Sequence, residues 1–248
     1  GQLGRGTPVA PTTLSSMDPH SPFLLGGTGT GTSLGKPSTA GGLSLATLDA
    51  VEVYGRAEAT MVAEHLGTAP VLDAPVTMVA EAAGAEDPTG PLGKVVAGLD
   101  VVGEAVVATA GPRRAAQWRP RESLPEAIAG LGPHHKLDVS LPAPALATFA
   151  DSVPGRVAAA VPGARTWIFG HLGDGNLHVN VTGVAPDDSR ADDVVLGRVL
   201  DHGGSISAEH GIGTAKRAWL ERQRGAAAVS TMRRIKAALD PAGILNPS

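Results

Sequence analysis

The sequence predicts an α+β fold, with strands and helices mixed rather than alternating as they do around a wound parallel sheet. Two observations lead there. Short runs rich in β-branched residues are scattered among stretches of helical pattern. A turn dipeptide, Asp174-Gly175, also sits between two apolar runs and marks an antiparallel hairpin. At 248 residues the chain fits one large domain or two small ones and is long enough to bury a core. Only 3% of residues are aromatic while 42% are hydrophobic, so that core must rest on Ala, Val, Leu and Ile.

Taken in order, residues 1–42 are crowded with Gly, Thr, Ser and Pro and carry almost no apolar periodicity. Such a stretch cannot bury enough surface to offset its ordering entropy, and a flexible segment is predicted. Within it, Gly27-Thr-Gly-Thr-Gly-Thr-Ser-Leu-Gly35 has the glycine content of a phosphate loop but not its Gly-Lys-Ser/Thr ending. A globular pattern spans 43–248. Thr60 to His65 reads as helix that Gly67 can close. Val76–Ala80 and Ala105–Thr109 read as strands. Ser123-Leu-Pro-Glu126 matches a capping box, predicting a helix that starts there and runs to Ala129. Lys136–Ser140 reads as a short strand before Pro142. Thr166–Leu172 and Leu177–Val181 read as the hairpin strands. Asp192–Asp201, Thr214–Arg224 and Val229–Leu239 read as helices, with Pro241 stopping the last.

Composition removes several classes of function. The net charge is −4 with both signs interspersed, which argues against a nucleic acid or an anionic membrane as partner. Arg113, Arg114, Arg119 and Arg121 form the only basic cluster, and it is short. With no cysteine, disulfides, zinc ribbons and thiolate catalysis are excluded. No apolar run approaches the ~20 residues that span a bilayer, and the start lacks a signal-peptide pattern. The expected location is the cytoplasm.

The richest stretch is Phe169-Gly-His-Leu-Gly-Asp-Gly-Asn-Leu-His-Val-Asn180. With Asp174-Gly175 as a two-residue loop, Gly173 faces Asn176, Leu172 faces Leu177 and His171 faces His178. Opposed residues project from one face about 5 Å apart, so the two imidazoles come within reach of one metal ion. Asn180 points to that same face. Paired histidines on a sheet face can equally be solvated and idle. A second motif, Gly203-Gly-Ser-Ile-Ser-Ala-Glu-His-Gly-Ile-Gly-Thr-Ala-Lys216, favours function. Glu209 offers a third ligand beside His210, a candidate general base. Two histidines and one carboxylate recur as a ligand set for divalent metals with open positions. Gly211 and Gly213 would let the backbone approach a flat ligand. Alone, Glu-His-Gly-x-Gly reads equally as a loop leading into a helix.

These segments, with Leu239-Asp-Pro-Ala-Gly-Ile-Leu-Asn-Pro247, occur in the order and spacing of one family. They resemble the C-terminal domain of FAD-linked oxidases of the vanillyl-alcohol-oxidase type. That group includes the glycolate oxidase flavoprotein subunit, D-lactate dehydrogenases and D-2-hydroxyglutarate dehydrogenase. Trp118-Arg-Pro-Arg-Glu-Ser-Leu-Pro-Glu-Ala-Ile128, Lys136-Leu-Asp-Val-Ser-Leu-Pro142 and, more weakly, Leu48-Asp-Ala-Val-Glu-Val-Tyr-Gly-Arg56 extend the resemblance over 43–247. It implies a ferredoxin-like cap that closes over the flavin ring and supplies most substrate contacts, followed by a C-terminal helical segment. His171, His178 and Glu209 match the family's metal ligands, for zinc or alternatively manganese or iron. His210 matches its catalytic base, Asn180 a polar substrate-site residue, and Arg121 and Lys136 the cations that hold the substrate carboxylate. Asn246 matches a flavin-proximal asparagine. Taken by themselves, Arg121 reads as a surface charge before a helix and Lys136 as a solvated strand end.

The chain departs from the family pattern in three places. Nothing upstream supplies the glycine-rich motifs of a flavin domain, although Gly29-Thr-Gly-Thr-Ser-Leu34 faintly echoes one. FAD is therefore expected from a missing or partner domain. Pro125 stands where some members carry a substrate-contacting hydroxyl, and Asn246-Pro-Ser248 ends where members commonly continue with Gly-Lys. The implied function is the substrate and metal part of an FAD-dependent 2-hydroxy-acid dehydrogenase, inactive without the flavin. A non-redox protein binding metal or 2-hydroxy acids, a decayed fragment, and a metal-assisted hydrolase are the alternatives.

Overall fold

The computed structural model describes residues 20–27, 48–84, 87–99, 102–109 and 111–246. Among them one antiparallel sheet takes the order β4-β1-β3-β2-β6-β7-β5. Its strands are β1 His20–Gly27, β2 Leu48–Gly55, β3 Val76–Ala83, β4 Val102–Val107, β5 His134–Ser140, β6 Arg165–His171 and β7 Asn176–Thr182. Helices α1 Arg56–Leu66, α2 Thr89–Ala97, α3 Gly111–Gly130, α4 Leu146–Ala160, α5 Arg190–Asp201, α6 Arg217–Arg224 and α7 Ala226–Leu239 complete it. The α+β class expected from the sequence is what forms, and α6 and α7 make the C-terminal helical segment. No helix among the described residues is long and apolar enough to cross a membrane.

Several local readings need correction. His20–Gly27, inside the stretch predicted to be flexible, forms β1 and pairs with β3 and β4. The rest of 1–42, including most of the phosphate-loop look-alike and the Gly29–Leu34 echo, lies outside the described residues. The capping box at Ser123 does not start a helix. α3 begins at Gly111, and both Pro120 and Pro125 lie within it. Each proline withholds one i→i−4 bond, so the 20-residue helix is held by packing, with Leu124, Ala127 and Ile128 buried. α4, a helix containing Pro154, was not predicted at all. α1 behaves as read: Gly67 closes it in the left-handed conformation, φ 65°.

The alternation along β6 and β7 separates two cores. Leu177, Val179 and Val181 face α4 and α5, where Phe149, Val153, Val157, Val195 and Val199 are fully buried. On the opposite face, Trp167, Phe169 and Tyr54 pack with Met61, Val62, Leu124 and Ile128 of α1 and α3. β7 pairs with β5 on one side and β6 on the other, and every one of its residues is buried. Its polar residues all point to the second face, where the candidate site residues collect.

Away from that face, His135 of β5 joins Asp192 in the first turn of α5, Nδ1 to Oδ1 at 2.7 Å, and its Nε2 lies 3.0 Å from the Ala185 carbonyl. Burial pulls the imidazole pKa down, but the bonds to Asp192 and Ala185 outweigh it and raise it above the ordinary value. A raised folded-state pKa contributes stability that is complete below the unfolded value and is lost as pH rises through the folded one. Melting followed from pH 5.5 to 8.5 should therefore show a loss of up to about 1 kcal/mol across that window. Asp192→Asn should flatten it; an unchanged profile in that variant would remove the pair as the cause.

Candidate functional site

The strand register sets three polar rows on the second face. Ser140, Asn176, His171 and Glu52 lie side by side across β5, β7, β6 and β2. Asp138, His178, Phe169 and Tyr54 form the next row, and Lys136, Asn180 and Trp167 the third. This corrects the predicted hairpin. The loop is four residues, 172–175, so His171 opposes Asn176 and His178 opposes Phe169. The register moves by two residues, which keeps every side chain on its predicted face. His171 and His178 meet diagonally instead of directly, with Nε2 atoms 3.2 Å apart. Gly175 takes φ 76° in that loop, and a Cβ there would stand 2.2 Å from the Leu141 carbonyl oxygen, so only glycine fits.

A carboxylate lies behind each imidazole, hydrogen-bonded to His171 only. His171 Nδ1 lies 2.6 Å from Glu52 Oε1, and His178 Nδ1 lies 3.4 Å from Asp138 Oδ1. Glu209 Oε1 stands 3.7 Å from His171 Nε2 and accepts a 2.7 Å hydrogen bond from Asn176 Nδ2. Buried Asp138 fixes the loop that carries Glu209 and His210: its Oδ2 accepts both of their backbone N–H groups, at 2.7 and 3.0 Å. Burial would raise the Asp138 pKa, but those N–H groups bring it below the usual carboxylate value. Lys216 donates from Nζ to the Asp138 and Ile206 carbonyls, tying the far end of the same loop to β5. His210 stacks over His178 with ring centroids 6.2 Å apart and is itself exposed.

Charge is arranged around a neutral His178. Burial, then the Arg121 guanidinium, hold its pKa down at about 4 despite Asp138. Arg121 is buried on α3. It donates from Nε and Nη2 to Glu52 Oε2 at 2.9 and 2.8 Å, and its guanidinium lies 4.6 Å from the Phe169 ring centre. Asn180 is buried with no partner for its Nδ2. Lys136 is exposed beside it on β5, and Asn246 is exposed in the tail after α7. The fold gathers the sequence-predicted histidines, Glu209, His210, Arg121 and Asn180 on or beside one sheet face. Glu52, Asp138, Asn176 and Lys216, which the sequence reading did not single out, hold them or their loop in place. For Asp138 the signal was present, since it alternates with Lys136 on the strand that was read.

Two imidazole nitrogens with a carboxylate beside them are donors of the kind that hold a divalent ion. Glu52 accepts only, so Nδ1 of His171 carries the proton and Nε2 presents a lone pair to His178. If His178 is protonated at Nε2, its bare Nδ1 faces the Asp138 carboxylate. If it is protonated at Nδ1, two lone pairs confront each other at 3.2 Å. A positive charge between the two Nε2 atoms would meet both lone pairs. The two Nε2 atoms, 3.2 Å apart, are close enough for both to reach one ion. As they stand, no three His, Asp or Glu side chains among the described residues are arranged to hold a metal. Glu209, exposed and turned to Asn176, is the ligand that would have to swing inward.

The sequence pattern described as FAD linked oxidases, C-terminal domain, matches residues 44–248. The chain belongs to this family. Within it, the chain is 40% identical over 156 residues to a D-2-hydroxyglutarate dehydrogenase of Xanthomonas citri pv. viticola, covering 59% of this chain and 32% of the relative. It is 34% identical over 212 residues to the mitochondrial D-2-hydroxyglutarate dehydrogenase of Danio rerio, covering 81% and 39%. The chain thus spans about a third of the length of these relatives. Their names include bacterial and mitochondrial proteins, which lends the expected cytoplasmic location no support. The fold matches p-cresol methylhydroxylase with substrate bound at TM-score 0.63 and 13% identity, over 94% of this chain and 53% of that one. It also matches 4-ethylphenol oxidase from Gulosibacter chungangensis at 0.58 and 16%, over 92% and 52%.

Proposed function

We propose that this FAD-linked oxidase domain is the substrate- and metal-binding part of a dehydrogenase that oxidises a D-2-hydroxy acid to the 2-oxo acid. The FAD would be held outside these residues, by a partner chain or a further domain. The observation that carries the reading is the pair of facing Nε2 atoms on His171 and His178, with Glu209 and His210 beside them. His171, His178 and Glu209 would hold the ion, zinc first and manganese or iron as alternatives. When bound, the ion lowers the pKa of the substrate hydroxyl and FAD accepts the hydride. His210 takes the hydroxyl proton as a general base, placed by its backbone bond to Asp138. Arg121 and Lys136 hold the carboxylate, and the unpartnered Nδ2 of buried Asn180 donates to a substrate oxygen. Asn246 would lie toward the flavin. The names of the relatives make D-2-hydroxyglutarate the first substrate to try, ahead of D-lactate and glycolate.

Elemental analysis tests the core of this proposal. The purified chain should carry about one equivalent of divalent metal, and His171→Ala should lose it. Calorimetry should then show the zinc-loaded chain binding D-2-hydroxyglutarate, with Arg121→Met weakening it about tenfold or more as one charge-assisted pair is removed. A chain that takes up no metal would defeat the proposal. Metal binding with no affinity for any 2-hydroxy acid would favour the non-redox alternative.

A further inference from the structure

Glu52 belongs to none of the predicted roles, yet it stands behind two of the side chains that carry them. It lies in the middle of β2, 6% exposed, paired in register with His171. One carboxylate oxygen lies 2.6 Å from His171 Nδ1, and the other takes Nε and Nη2 of Arg121. A carboxylate this deep is costly unless both oxygens are engaged, and here both are. We infer that Glu52 is a positioning residue, setting the His171 tautomer and holding Arg121, so that the metal site and the carboxylate site share one anchor. The inference rests on the proposed metal and substrate roles of His171 and Arg121.

The physical chain is short. Because Glu52 offers acceptors only, His171 must keep its proton on Nδ1, and Nε2 is left as a lone pair facing His178. The same anion makes the imidazole a stronger electron donor. In a Glu52→Gln variant the amide oxygen can still accept from Arg121, but the NH₂ group would donate to His171 Nδ1. The ring proton would then move to Nε2 and remove the lone pair that faces His178.

A second ion pair on the same face supplies the control. Seven residues earlier on α3, Arg114 holds buried Glu81 of β3, with Trp118 Nε1 donating to the same carboxylate. If Glu52 were only a structural partner for α3, Glu52→Gln and Glu81→Gln would have like consequences.

The experiment is a competitive zinc titration of wild type, Glu52→Gln and Glu81→Gln, together with ¹⁵N NMR of imidazole-labelled protein free of metal. Glu52→Gln is expected to weaken zinc binding about 10–100-fold, while Glu81→Gln leaves zinc affinity unchanged even where its melting point falls. In the wild type, the His171 resonances should show the Nδ1–H form, an observation that needs no variant to fold. Equal zinc affinity in Glu52→Gln, equal losses in both variants, or a wild-type His171 protonated at Nε2 alone would each overturn the role of Glu52. A wild-type chain that binds no zinc would defeat the metal proposal instead, and the NMR result would still decide whether Glu52 fixes the tautomer.

Discussion

His210→Ala is expected to slow reduction of FAD by the 2-hydroxy acid about 10²–10⁴-fold, the usual contribution of a positioned general base. Metal content should be unaffected, because the facing nitrogens belong to His171 and His178 and the loop stays anchored through backbone bonds to Asp138. The assay is rapid mixing of substrate with the FAD-loaded enzyme that contains this domain, following loss of flavin absorbance. Equal rates in wild type and variant would transfer the role of base elsewhere, with Lys136 the next side chain on the same face.

The second large effect is on stability. Phe149→Ala should destabilise the domain by about 3–5 kcal/mol, as for a fully buried aromatic ring deleted from a packed core. Phe149 is 0% exposed on α4 and packs in the cluster that receives Leu177, Val179 and Val181 from the back of β7. The strand's front carries His178 and Asn180, so the same strand ties the apolar core to the site. Urea melts of wild type, Phe149→Ala and Phe149→Leu would measure it. The leucine variant refills much of the space and should lose far less. A loss below about 1 kcal/mol for alanine would mean that α4 settles into the gap.

How much of this was legible depended on which signals are local. The histidine pair was legible because face parity along a strand has period two, so even a hairpin drawn with the wrong loop kept His171 and His178 together. The loop length was not, because bonds outside the hairpin contribute to it. Leu172 donates to the Val51 carbonyl at 2.8 Å, and the Gly175 carbonyl accepts from Leu141 at 2.9 Å. α3 starts earlier than its capping-box reading and α4 was not read at all. Both carry prolines, Pro120, Pro125 and Pro154, that disfavour a helix interior, and tertiary packing overrides them. Glu52 was invisible as a site residue because its partners are 69 and 119 positions away. The motifs around Glu209 and His210 named the residues, but not the buried Asp138 that positions their loop.

The strict alternation of β7 constrains how this stretch of chain can change. His178 and Asn180 reach the site, while Leu177, Val179 and Val181 fill the core behind it. Inserting or deleting one residue between His178 and Asn180 must turn one of them into apolar surroundings and push a valine out toward the site. Two residues restore the phase, though they shift the row. The strand therefore carries something like a reading frame of two: its length can drift only in even steps, whereas the loops at either end are free of that arithmetic.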